Sequence, residues 1–86
     1  MITRQQVAAK LTDYLKHRIS IGQLVDWAER AMMDDDLDPT DIELLRNTIS
    51  RIGVSDVRAF GLSWDECEGL LSGLGYQVQL EIVPVL

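Results

Sequence analysis

Five aspartates within eight residues, Asp34, Asp35, Asp36, Asp38 and Asp41, form the densest group of oxygen ligands in the chain. Counted from Asp34, the residues Asp36 and Asp38 fall on the third and fifth positions of a calcium loop, and helical patterns flank the run. The sixth position is then Pro39, where the loop turn requires glycine, and the twelfth is Leu45, where a bidentate glutamate closes the cage. The run therefore fails at two defining positions of that loop, the turn glycine and the closing glutamate. It reads instead as a solvated acidic loop with helix-capping residues, and Asp34, Asp35 and Asp36 become a candidate acidic face for a partner. A metal-assisted enzyme using these carboxylates is kept as a minor alternative.

His17 and Cys67 are each the single residue of their type. A thiolate–imidazole nucleophile would need the two adjacent in space and the thiol activated by its surroundings. Cys67 lies on an apolar stripe with Leu70, Leu71 and Leu74, where cysteine behaves as a small hydrophobe. His17 sits at the expected end of the first helix, where partial positive charge suits the dipole. One histidine and one cysteine also make a poor transition-metal set. Gly73 and Gly75 lead from a helix into an extended segment, the reverse of the order that cradles phosphate. We therefore expect no catalytic residue, no metal and no cofactor.

The elements that position these residues are legible from capping and periodicity. Thr3 with Gln6, Ser20 with Gln23, and Ser63 with Glu66 each have the capping-box spacing. Val7, Ala8, Leu11, Tyr14 and Leu15 recur as one helical stripe, predicting a helix over about 4–17. Ile21, Leu24, Val25, Ala28, Ala31 and Met32, widened by Trp27, predict a second over about 21–33. The short connection between them predicts an antiparallel pair. Asp38-Pro39 is a helix-start signal, and Ile42, Leu45, Ile49 and Ile52 carry the third helix over about 39–52, with Gly53 as its left-handed cap. Ser55 is placed to cap a single turn over 56–60. Trp64, Cys67, Leu70, Leu71 and Leu74 predict a helix over about 64–73, with both tryptophans read as core residues.

After Gly75 the period changes. Tyr76, Val78, Leu80 and Ile82 alternate with Gln77, Gln79 and Glu81, which predicts a half-buried strand over about 76–83. Pro84 limits it, having no amide to donate. The rest of the chain offers this strand no convincing mate. Three arrangements would satisfy it: pairing with its own copy about a two-fold axis, addition to another protein's sheet edge, or a course across the helices as a tail. Tyr76, Val78, Leu80, Ile82 and Val83 are accordingly the candidate interface. The expected fold is mainly α, an antiparallel four-helix bundle with a short extra helical turn and one C-terminal β-strand.

Eighty-six residues suit one domain, whose folding buries only about 60–65% of the surface of the unfolded chain. With 47% hydrophobic and 26% charged residues the composition is that of a globular domain. Net charge is −6 and unevenly spread. Residues 1–20 carry Arg4, Lys10, Lys16 and Arg18 against Asp13, a net +3, while the remainder sets four arginines against thirteen acids, a net −9. That body repels a phosphate backbone and suits a basic partner protein. No stretch approaches the roughly 20 apolar residues of a membrane span, and no secretory h-region is recognised, so the expected location is the cytoplasm.

The stretch YLKHRISIGQLVDWA resembles the first helical hairpin of small bacterial immunity-type and antitoxin-type proteins, acidic helical bundles that bind a toxic partner. The stretch AFGLSWDECEGLLSGLGYQVQLE is similar to small uncharacterised bacterial proteins, and that similarity implies no activity. Neither resemblance carries functional residues over. The expected function is a small acidic protein–protein interaction module, with a self-associating structural or regulatory homodimer, paired through the C-terminal strand, as the rival.

Overall fold

A computed structural model describes residues 1–34, 36–55, 61–79 and 82–84. Four helices account for most of it: α1 (Arg4–Leu15), α2 (Ile21–Asp34), α3 (Ile42–Gly53), which follows a 3₁₀ turn at Pro39–Asp41, and α4 (Trp64–Gly73). None is long and apolar enough to cross a membrane.

Local chemistry fixes the helix starts. At α1 the Thr3 hydroxyl accepts from the Gln6 amide at 3.3 Å, and the Gln6 side chain accepts from the Thr3 amide at 3.1 Å. Ser20 and Gln23 repeat both arms at 3.1 and 2.9 Å before α2. Each box satisfies two amides that an unfinished first turn would leave bare. The third box is half-formed. Ser63 accepts from the Glu66 amide at 3.2 Å, but the Glu66 carboxylate turns to Arg51 on α3. Asp38 accepts from the Thr40 amide at 3.1 Å, which opens the 3₁₀ turn rather than α3 itself.

The ends of α1 and α3 depart from expectation, while α4 ends at Gly73 as expected. α1 stops at Leu15, and His17 adopts a left-handed conformation with φ of 60°. Its amide donates to the Tyr14 carbonyl at 3.1 Å, and that of Arg18 to the Asp13 carbonyl at 2.8 Å. This pair of bonds is a Schellman cap, usually built on glycine. Histidine holds the glycine position here. α4 closes the same way on Gly75 (φ 94°), with Gly75 donating to Ser72 at 3.0 Å and Tyr76 to Leu71 at 2.9 Å. Gly53, in contrast, is the last helical residue of α3 and not a left-handed cap; Val54 follows as the C-cap. Ser55 is buried and its hydroxyl donates back to the Ile52 carbonyl at 2.6 Å. The turn expected over 56–60 lies outside the described residues.

All four helices contribute to one core: Val7 and Leu11 from α1, Leu24, Ala28 and Ala31 from α2, Leu45, Ile49 and Ile52 from α3, Cys67 and Leu71 from α4. The α2–α3 pair is the most extensive contact. The small side chains of Ala28 and Ala31 leave room in that cluster for the large ones of α3. Met32, expected on the buried stripe of α2, is exposed, and its sulfur accepts from Ser50 at 3.9 Å.

One long-range tie was not anticipated. Ile2 forms a parallel bridge with Leu37, its amide donating to the Asp36 carbonyl at 2.7 Å and its carbonyl accepting from the Asp38 amide at 2.9 Å. Leu37 is buried beneath it, and Arg4 reaches Asp41 at 3.1 Å. The backbone of the acidic loop is therefore clasped by the start of the chain, while the Asp34 and Asp36 side chains stay exposed as expected. Among the described residues this bridge is the only β pairing. The described residues of 76–83 carry no strand ladder.

Candidate functional site

The end of α1, the start of α4 and the segment after it enclose a groove of about 510 Å³. α1 supplies Thr12 and Leu15, with Lys16 at its cap; α4 supplies Trp64 and Leu71; the extended segment supplies Tyr76, Gln77, Val78 and Gln79. A smaller cleft beside it is lined by Tyr14, Leu15, His17, Leu62 and Trp64. The two share Leu15 and Trp64, so Trp64 stands on the wall between them.

Helix register explains why an aromatic is left in the open. Trp64 is in phase with Cys67, Leu71 and Leu74, all buried, yet it is 43% exposed. It occupies the first helical position after Ser63 and lies against Leu15 and His17, where α1 ends. No further turn of α1 is there to cover it. The core assignment of Trp64 from its stripe is thus corrected. Trp27 is half-buried against the core, with Lys10 Nζ 6.0 Å from its ring centroid, a cation–π distance.

Tyr76 is 41% exposed, and Val78 is half-buried between exposed Gln77 and Gln79; no alternation of burial runs through the described residues of the segment. The Tyr76 amide is used by the α4 cap, whereas Gln77, Val78 and Gln79 make no backbone hydrogen bond to another described residue. Ile82 and Val83 lie away from the helices, 85% and 66% exposed. Leu80 lies outside the described residues. Of the candidate interface, Tyr76 and Val78 are therefore brought to the groove, and Ile82 and Val83 are not.

The groove is free of carboxylates, as is the smaller cleft beside it, in a chain with fourteen acids and eight Lys and Arg, and Lys16 stands at the groove's edge.

The described members of the candidate acidic face, Asp34 and Asp36, are both exposed. Asp34 is exposed at the end of α2, Asp35 lies outside the described residues, and the Asp36 carboxylate is 3.0 Å from the Met1 amine. Among the described residues no three His, Cys, Asp or Glu side chains gather as a metal site. Cys67 is fully buried, and burial first, then the charge of Glu66, pushes its thiol up to about 11 against the lowering effect of Arg51. It is held as a neutral thiol in the core, while His17 is exposed at the α1 cap. The structure does not bring the two together as an activated pair.

Sequence reading missed the exposure of Trp64, whereas Tyr14 and Leu15, read on the apolar stripe of α1, are partly buried against the core as expected. The available signal was the position of Trp64 directly after its N-cap, since first-turn residues overhang the bundle they join. No family model matches the sequence, and no curated protein or solved structure matches it.

Proposed function

We propose that this chain is a small acidic protein-interaction module whose working surface is the Trp64–Tyr76 groove with the extended segment beside it. The observation that carries the reading is a pair of large aromatics, each about two-fifths exposed, on a partly apolar floor without carboxylates, in a chain of net charge −6. Half-exposed aromatics over a partly desolvated floor are the residues on which protein interfaces concentrate their energy. The groove is favoured over the acidic loop because it joins exposed aromatics to apolar lining, whereas Asp36 already faces the Met1 amine. In this reading residues 76–83 become a strand when a partner supplies the missing ladder, on one edge of an antiparallel helical bundle. An immunity-like or antitoxin-like role is one form of the same reading.

The test is a photo-crosslinking amino acid placed at Gln77, at the groove, and in a second variant at Glu29, on the exposed face of α2. Adducts from position 77, absent from position 29, are expected in the cells that make the protein. No adduct from 77, or the same adducts from both, overturns the reading.

A further inference from the structure

We infer that the groove takes an acidic, apolar segment of a partner protein, the opposite of the basic partner that the net charge alone would select. This rests on the reading of the groove as an interaction surface and names the chemistry that fills it.

The groove is part of a longer feature. It shares Leu15 and Trp64 with the cleft at the end of α1, and it shares Tyr76 with a third cleft, where Arg4 lies against Leu74 and Gly75. The three form one band along α1, from its first residue to those just past its last. No carboxylate lines any of them. Clefts elsewhere do carry acids: Asp26 in the one beside Trp27, Asp41 and Glu43 in the one at the start of α3.

Groups that bind carboxylates stand at both ends of the band. Lys16 is exposed and pairs with no carboxylate among the described residues. His17, exposed beside it, adds a ring N–H donor. At the far end Arg4 gives its Nε to Asp41, while its Nη1 lies over Gly75, 3.5 Å from where a Cβ there would stand. A guanidinium engaged at Nε keeps outer N–H groups for a second carboxylate. Between these ends stand Trp64 and Tyr76, each about two-fifths exposed. A glutamate beside an apolar anchor finds a cation within this band. A lysine finds no carboxylate there to replace its water.

Range decides against the two rivals. The acidic body attracts a basic protein from a distance, but at 150 mM salt that attraction reaches only about 8 Å. Groups lining the site then decide what stays bound. The same body excludes a nucleic acid. α1 has 12 residues, so the band is about 18 Å long, room for about five or six extended residues. A phosphate backbone would run on past it over residues 21–86, which carry a net −9. A short acidic segment ends inside it.

Selection of a random library of short peptides on the full-length chain tests the preference. We expect the recovered peptides to carry aspartate or glutamate beside an aromatic or large aliphatic residue. Lys16→Glu should weaken them at least about tenfold, and should improve the binding of versions with lysine in place of each acid. Arg30→Glu changes net charge by the same amount on exposed α2 surface outside the band, and should alter affinity by less than about twofold. Both side chains are exposed, so the fold should survive, which circular dichroism checks; Lys16→Gln, milder at a helix end, should give an intermediate loss. Basic or uncharged peptides, an empty selection, or equal losses from Lys16→Glu and Arg30→Glu overturn the inference. Single-stranded DNA that binds more tightly than the peptides also overturns it. Basic peptides that crosslink at position 77 would overturn this inference and leave the broader reading standing.

Discussion

His17 shows what a residue type conceals. Its place near the end of α1 is legible from the periodicity, and its charge was read as favourable to the helix dipole. What the sequence does not display is a φ of 60°, because histidine gives no warning of a conformation that glycine normally announces. Left-handed backbone costs an L-residue about 1–2 kcal/mol, and the Schellman bonds from His17 and Arg18 impose it here. His17→Gly keeps both bonds and removes the strain, at some cost from the freer unfolded chain. We expect a net gain of about 0.5–1 kcal/mol, seen as a rise of a few degrees in Tm. A loss of stability would show that the imidazole, which lines the cleft with Leu62 and Trp64, makes a contact worth more than the strain. The same limit applies to Trp64: its periodicity is that of a core residue, and only the end point of a different helix decides its exposure.

At the scale of the element, starts were readable and long-range ties were not. Both arms of the Thr3–Gln6 and Ser20–Gln23 boxes form because every participant lies within three residues. The Ser63–Glu66 box has the same spacing, but a tertiary partner takes its carboxylate. Arg51 holds the Gly61 carbonyl at 2.9 Å and pairs with Glu66, so one side chain of α3 fixes the approach and first turn of α4. The Ile2–Leu37 bridge is likewise invisible to any local rule. We expect Arg51→Ala to destabilise the fold by about 1–3 kcal/mol, as loss of a charge-assisted hydrogen bond does. Glu66→Gln should cost less, because its amide still meets Ser63. A double-mutant cycle in urea should give a coupling of about 1 kcal/mol, near the upper end for partly exposed pairs. A coupling indistinguishable from zero would mean that packing alone docks α4.

For the whole molecule the question is whether charge holds the fold together or strains it. α1 and its flanks are basic, the rest is acidic, and Arg4 lies 3.1 Å from Asp41 across the two. That favours cohesion. Against it stands a body of net −9 whose carboxylates repel over longer distances. Ionic strength separates the two by range. At 10 mM salt the screening length is about 30 Å and the whole body repels itself; at 150 mM it is about 8 Å, which silences distant pairs and spares contacts near 3 Å. Exposed ion pairs contribute about 1 kcal/mol or less each, so the relieved repulsion should dominate. We therefore expect urea stability to rise by about 0.5–1 kcal/mol between those salt concentrations. Urea is the denaturant of choice because guanidinium is itself a salt. Stability that falls with salt would instead make the basic helix an electrostatic clamp on the acidic body, with Arg4 and Asp41 at its centre.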